Sequence, residues 1–329
     1  MLRFFRSYNA LVIVVILLIG ILTWLHVLDE TEIISSGKYD ALMFRSLNGW
    51  LAMTPGESAW LGLFLSLLTA IAVVYANVRL HLIEKISYLP ALCYILLIGG
   101  VSEIHQFNPV LIAVILLVTA FIIIAGAFES ERLSYNFFTA SAFISLATFF
   151  YPYMYMYMLA IWLAIAFWRP GYWREWVFSI LGFALPLFFV FSWLFLVEDD
   201  ISRMGVFFKE IFTIQRMVPS LSVSTIVFFA LSIAVGVIAF GHLLRYVGSA
   251  RVIVRTRYYF LILIGILTVG MAFTVPDMIP QIWYLLAFPV SFIISAYFAK
   301  IKSVRWGTVV LAILFAGVLV AQAMFLSAG

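Results

Sequence analysis

Long runs of mostly apolar residues alternate with short polar connections along the whole chain. A helix that crosses a bilayer needs about 20 predominantly apolar residues, and most of the runs approach that length. The pattern predicts eleven transmembrane helices, at residues 10–28, 58–78, 86–102, 109–128, 137–151, 154–168, 177–197, 223–243, 258–275, 278–298 and 306–327. We therefore expect an all-α fold, a polytopic transmembrane helix bundle that forms one integral-membrane domain over residues 1–329.

Composition supports the membrane class. The chain is 66% hydrophobic and only 10% charged, whereas soluble domains are close to half apolar and a quarter charged. The net charge is +4, but the basic residues are scattered between apolar runs, so we expect no nucleic-acid partner. The single cysteine, Cys93, lies inside an apolar run. It therefore supplies neither an intrachain disulfide nor a cysteine metal site.

The basic residues predict the orientation of the helices. Cytoplasmic connections of membrane proteins carry an excess of lysine and arginine. With the N-terminus in the cytoplasm, the inner side receives 14 of the 19 basic residues: Arg3, Arg6, Arg79, Lys85, Arg132, Arg169, Arg174, Arg245, Arg251, Arg255, Arg257, Lys300, Lys302 and Arg305. We therefore predict a cytoplasmic N-terminus and, with eleven crossings, an external C-terminus.

Two long connections, residues 29–57 and 198–222, fall on the predicted external side. Both contain aromatic and aliphatic residues, which favours interfacial helices over disorder. In the second connection, "ISRMGVFFKEIFTIQRMV" predicts an amphipathic helix with Arg203 and Arg216 on its polar face. These arginines either form the wet face of a membrane anchor or bind a lipid phosphate through their forked donors.

Acidic residues stand where the first predicted helix reaches the external side. The stretch "TWLHVLDETE" places Asp29 and Glu30 together at this boundary. Carboxylates at such a place are either a solvated helix end or the acid–base groups of a membrane enzyme. Their position at the head of a long external connection makes them the best candidates for a catalytic carboxylate.

A third polar feature is the short external connection "GGVSEIHQFNP". Glu103 and His105 are two residues apart, so in an extended segment both side chains lie on one face. A carboxylate and an imidazole on one face either bind a divalent cation or form a hydrogen-bonded loop without chemistry. The cofactor is otherwise unknown.

A large part of the chain resembles an uncharacterised family of bacterial polytopic inner-membrane proteins. The resemblance lies in "FNPVLIAVILL", "FESERLSYNFFTASAFISLATFFYP" and "IWLAIAFWRPGYWREWVFSILGFALP". It implies a multi-pass protein of the bacterial inner (cytoplasmic) membrane and carries no activity with it.

The layout also resembles GT-C class glycosyltransferases, which use polyprenyl-phosphate-linked sugars. Those proteins present an acidic residue at the start of a first external loop, often another acidic motif in the second, and a long external loop after the seventh helix. Here the matching features are Asp29 and Glu30, Glu103 with His105, and residues 198–222. The second-loop pair is Glu-x-His instead of two acids. The resemblance implies a catalytic carboxylate at Asp29 or Glu30, lipid-phosphate binding by Arg203 and Arg216, and a polyprenyl-phosphate-linked sugar as partner.

Two other functions remain open. One is a non-enzymatic scaffold or subunit that packs beside other membrane proteins of a secretion or envelope-assembly complex. The other is a lipid or polyprenol transporter that uses the same interfacial helices and arginines. The sequence contains no phosphate-cradling glycine loop, H-E-x-x-H or G-x-S-x-G motif, which argues against cytoplasmic nucleotide chemistry.

Overall fold

The computed structural model describes residues 2–6, 9–28, 54–83, 87–102, 105–128, 133–168, 171–198, 204–205, 207, 221–274 and 279–328. This part of the chain is helical and contains no strand. Its helices are α1 (Leu2–Phe5), α2 (Ala10–Leu28), α3 (Pro55–Leu80), α4 (Leu89–Gly99), α5 (Pro109–Ala127), α6 (Leu133–Phe150), α7 (Tyr157–Trp168), α8 (Trp173–Trp193), α9 (Val223–Ser249), α10 (Val252–Thr274), α11 (Ile279–Lys300) and α12 (Val304–Ala328). A short 3₁₀ helix at Pro152–Met156 precedes α7, and a π-helical turn at Leu194–Glu198 extends α8.

The all-α prediction is confirmed for these residues. Each of the eleven predicted segments overlaps one of the helices α2 to α12. Seven helices, α3, α5 and α8 to α12, are long and apolar enough to cross a membrane. The count of eleven crossings and the orientation of the termini stay predictions. Of the predicted external connection 29–57, residues 29–53 lie outside the described residues and 55–57 begin α3. In 198–222 only a few positions are described.

The bundle has a buried centre and an exposed apolar periphery. Every residue of α4 is buried, and 83% of the apolar window of α11 is buried inside the protein. The corresponding share is only 17% for α8 and 22% for α12. Their outer faces carry large apolar side chains such as Phe188, which is 67% exposed. Such extensive apolar surface is unusual for a soluble monomer and is compatible with an integral membrane protein.

Side chains from neighbouring helices bind the carbonyl groups at helix C-termini. The last four carbonyl groups of a helix have no partner within the helix, and lipid offers no donor. Arg257 is 2% exposed. Its Nε donates to the carbonyl of Ala125 at 2.9 Å and its Nη1 to the carbonyl of Leu80 at 2.7 Å. One side chain of α10 therefore satisfies the ends of α3 and α5 together.

The end of α11 is bound in the same way. The Arg6 guanidinium donates to the carbonyls of Phe298 and Ile301. Partial burial lowers the pKa of this guanidinium. Arg6, Leu80, Arg257 and Lys300 lie at one end of the bundle, which we call the basic end. The name refers to Arg6, Arg257 and Lys300, which are among the basic residues predicted to face the cytoplasm. Which side of a membrane this end faces stays a prediction.

Small residues let α6 and α8 approach closely. The two helices share the most extensive helix–helix interface of the described residues. On α8, the buried positions include Ser179, Gly182 and Pro186. A Cβ atom added at Gly182 would overlap the carbonyl group of Phe138 and would lie 2.9 Å from its Cα. Close backbone contact through small residues is a common basis of helix association in membranes.

We expect Gly182→Ala to destabilise the protein by about 1–3 kcal/mol, because the extra methyl group meets backbone that cannot move independently. The measurement is the apparent Tm of the detergent-purified protein. Gly241→Ala is the matched control, since an added Cβ there contacts nothing within 4 Å. Equal effects of the two substitutions would contradict the close approach of α6 and α8.

We expect Arg257→Leu to lower the free energy of unfolding by about 3 kcal/mol, because two carbonyl groups lose a charged donor. Arg255→Leu, on the same helix but half-buried, serves as control and should have a small effect. Apparent Tm values of the three proteins provide the comparison. If Arg257→Leu were as stable as the parent protein, the guanidinium would not hold the ends of α3 and α5.

Candidate functional site

The candidate site is built around the segment between α4 and α5. Helix α4 has eleven residues, which corresponds to about 16 Å at 1.5 Å per residue. Residues 100–102 and 105–108, which the structure describes between α4 and α5, are all buried. Buried backbone outside a helix needs internal hydrogen-bond partners in a helical membrane bundle. This segment carries the predicted Glu103–His105 pair.

Neighbouring side chains and turns supply those partners. The backbone N–H of Phe107 donates to Ser58 Oγ at 3.2 Å, which ties the segment to the start of α3. The Asn108 side chain accepts the backbone N–H of Val110 at 3.0 Å and so caps α5. The segment is therefore held between two helix N-termini.

His105 is fully buried within this segment. Its ring stacks on Trp24 of α2 with 4.7 Å between the centroids and an interplanar angle of 24°. Its Nε2 lies 3.1 Å from the carbonyl oxygen of Ile98. Because a carbonyl oxygen only accepts hydrogen bonds, this contact assigns the proton to Nε2.

A side chain of α12 connects α2 to α4. Gln322 Nε2 donates to the carbonyls of Thr23 and Gly99, both at 3.0 Å. Gly99 lies against the Thr23 side chain, and an added Cβ there would be 2.9 Å from Thr23 Cγ2. One amide therefore joins the last turn of α4 to α2, immediately before Trp24.

The start of α9 reaches the same region. Phe228 packs directly on Gly100, where an added Cβ would overlap its ring. The next residue, Phe229, stacks on Trp283 with 4.3 Å between centroids. Trp283 in turn donates its Nε1 proton to the carbonyl of Leu97 at 2.7 Å.

We call this region the junction. It comprises Thr23 and Trp24 of α2, residues 97–102 and 105–108, Phe228 and Phe229 of α9, Trp283 of α11 and Gln322 of α12. It lies at the opposite end of α2 from Arg6. The junction consists of aromatic rings and neutral hydrogen bonds, and its polar groups bind mainly to backbone.

Most of the predicted site residues lie outside the described residues. These are Asp29, Glu30, Glu103, Arg203 and Arg216, and their predicted roles stay predictions. Only His105 is described. Described residues near two of these positions in the sequence are in contact: Trp24, which precedes Asp29, stacks on His105, which follows Glu103. Phe228, in the helix after the connection that carries Arg216, contacts Gly100 of the same segment as His105.

The first part of residues 198–222 packs elsewhere. Phe207 is buried and stacks on Phe149 of α6 with 5.8 Å between centroids. It also contacts Phe191 of α8 edge-on, at 5.6 Å. Within this connection, Phe207 therefore packs against α6 and α8.

The hydrogen bond between His105 and the Ile98 carbonyl is of the kind that orients a cation-binding histidine. Metal-ligating histidines usually donate the other ring N–H to a carbonyl or carboxylate, which fixes the tautomer. With Nε2 bonded to Ile98, Nδ1 is the atom through which a cation shared with Glu103 would bind. The same stack and hydrogen bond also suit a structural histidine. Among the described residues, no group of three His, Cys, Asp or Glu side chains is placed to hold a metal ion.

The sequence interpretation missed two residues that organise the bundle. Gln322 is the one amide in the last apolar run. A polar residue within a predicted membrane helix indicates a specific role, so the sequence could have identified it. Arg257 was interpreted only as an orientation signal, whereas its side chain is buried and bonded to two helix ends.

Comparisons with known protein families, with curated proteins and with solved structures find no match to this chain. They therefore lend no support to the GT-C resemblance. The function of this protein therefore has to be inferred from its own residues.

We expect Gln322→Leu to loosen the junction. Loss of two neutral hydrogen bonds costs about 2 kcal/mol. This raises the equilibrium constant for local opening of the junction roughly 30-fold. Hydrogen exchange of peptides covering residues 20–28 and 96–102 would measure it. Thr308→Val is the control on the same helix, because Thr308 bonds only to its own helix, at Val304. Unchanged exchange in Gln322→Leu would show that the amide does not couple α2 to α4.

Proposed function

We propose that this protein is a membrane glycosyltransferase of the GT-C type, which transfers a sugar from a polyprenyl-phosphate carrier to an acceptor beside the junction. One observation carries the proposal. The Trp24–His105 stack joins the helix end that leads into Asp29 to the segment that contains Glu103. The contact supports the proposal because Trp24 and His105 are the described neighbours, in sequence, of two of the predicted external features.

The proposed chemistry needs one base. Asp29 or Glu30 accepts the proton of the acceptor hydroxyl while its oxygen attacks the anomeric carbon of the sugar. The bond between that carbon and the phosphate oxygen breaks, and its electron pair leaves with the polyprenyl phosphate. The carboxylate is the one protein group whose protonation this step requires to change, and the proton comes from the acceptor hydroxyl.

The departing phosphate needs positive charge. Arg203 and Arg216 are the proposed donors, because a guanidinium binds phosphate oxygens through two parallel N–H groups. Glu103 and His105 would hold a divalent cation, which supplies further charge neutralisation at the leaving oxygen. The contact of Phe228 with Gly100 supports this arrangement, since α9 is the helix that follows the connection carrying Arg216.

An apolar groove along α2, nearer the start of that helix than the junction is, suits the lipid part of the substrate. A cavity of about 120 Å³ lies between α2, α3 and α4 and is lined by side chains such as Leu17, Leu67 and Ile95. Leu67 and Ile95 also border Gly20, one turn of α2 before Trp24. A prenyl chain whose phosphate lies at the junction would reach this groove along α2.

The test uses the full chain in proteoliposomes with polyprenyl-phosphate-linked sugars labelled in the sugar. We expect Asp29→Asn or Glu30→Gln to slow consumption of one donor on the order of 100-fold, as expected for loss of a general base. The readout is the rate of label transfer out of the lipid fraction.

Glu57→Gln is the matched control. Glu57 is an acid in the same sequence region, and its Oε2 accepts the backbone N–H of Thr54 at 2.8 Å in a capping box. Glutamine preserves such a box, so the control should retain the parent rate. If both carboxylate variants matched the parent and Glu57→Gln at equal abundance, the protein would not be this enzyme, and the scaffold function would be favoured.

A further inference from the structure

Two adjoining cavities lie at the basic end, away from the junction. The first, of about 500 Å³, is bordered by His81, Tyr246, Arg251 and Lys300. The second, of about 610 Å³, lies between α9 and α12 and is bordered by Arg245, Lys302 and Trp306. Both are bordered by Tyr246 and Lys300, so they are neighbours, and we call the two together the basic cavity.

The described lining of the basic cavity carries only positive formal charge. Arg245, Arg251, Lys300 and Lys302 contribute four cations, and none of the described residues that line either part is an aspartate or glutamate. Four cations and no acid among the described lining residues favour an anion. Arginine and lysine together are the residues that proteins use to bind phosphate groups.

Aromatic rings position the cations. Lys300 Nζ lies 4.4 Å from the centroid of the Tyr246 ring, within cation–π distance. Tyr246 itself contacts Tyr258 edge-on at 6.2 Å, and Tyr258 donates to the carbonyl of Leu82. The floor of the cavity is therefore built on buried, hydrogen-bonded structure.

Apolar helix faces continue from the second part of the cavity. On α12, Trp306, Val309 and Ile313 are 67%, 47% and 43% exposed and follow one another along one face. On α9, Ile238 is 55% exposed and lies two turns before Arg245 on the same face. The cations thus stand at the end of two apolar stripes that belong to helices long and apolar enough to cross a membrane.

We propose that the basic cavity binds the phosphodiester headgroup of an anionic phospholipid, whose acyl chains lie along the exposed faces of α9 and α12. Free phosphate shares the headgroup chemistry, but it has no use for the apolar stripes. Basic pockets between membrane helices are known to suit anionic headgroups. The site is independent of the proposed transferase site, which lies at the other end of the bundle.

The test measures lipid binding to the full chain, purified in neutral detergent, by native mass spectrometry during titration with phosphatidylglycerol or phosphatidylcholine. We expect the parent protein to prefer phosphatidylglycerol. The double variant Arg245→Gln with Lys300→Gln should weaken phosphatidylglycerol binding roughly 30-fold, because each cation near a headgroup contributes about a five-fold factor.

Three comparisons decide the outcome. Arg3→Gln with Arg174→Gln removes the same charge from exposed positions that do not line the cavity, and it should bind like the parent. Arg245→Lys with Lys300→Arg keeps the charge and should retain binding, which separates charge loss from misfolding. Inorganic phosphate at millimolar concentration should not displace the lipid.

The proposal is overturned if the Arg245/Lys300 double variant keeps the parent preference, or if the control double variant loses as much. Displacement of phosphatidylglycerol by inorganic phosphate would also overturn it, because the site would then be one for a soluble anion. The proposal would also be overturned if the parent protein bound phosphatidylcholine as tightly as phosphatidylglycerol.

Discussion

The described structure depends on one constraint: carbonyl groups at helix ends must find donors inside the protein, because lipid supplies none. Arg6, Arg257, Trp283, His105 and Gln322 each reach the end of another helix. These bonds determine which helix ends meet and at what height the helices pack. The apolar contacts between the helices, although far more extensive, are less directional and do not select one register in the same way.

The same constraint builds the junction. Helix α4 ends inside the protein, and its last three residues each use their carbonyl group for a donor from a different part of the chain. Satisfying this one helix end brings together α2, α11, α12 and the segment after α4. Stability and the proposed chemistry therefore rest on shared residues, and substitutions in the junction have to be separated from folding effects by controls that leave α4 intact.

The two ends of the bundle differ in chemistry. The basic end combines buried guanidinium–carbonyl bonds with exposed cations around a cavity, whereas the junction is aromatic and neutral and adjoins the predicted acidic residues. Both proposals involve phosphate groups, but at different ends and for different reasons. At the basic end, the positive charge of the cations would be matched by the constant negative charge of a bound headgroup. At the junction, positive charge would be needed only when the phosphate leaving group departs.

Apolar run length is a local property of the sequence, and it was enough to locate all the helices from α2 to α12. The polar pair around His105 and the acids at Asp29 were also visible locally, as departures from an apolar pattern. The sequence did not reveal that Arg257 is buried, that α4 is only eleven residues long, or that Gln322 joins α2 to α4. Those features depend on carbonyl groups 132 to 299 residues away in the chain. Only tertiary packing brings such partners within hydrogen-bond distance, so only the tertiary structure decided them.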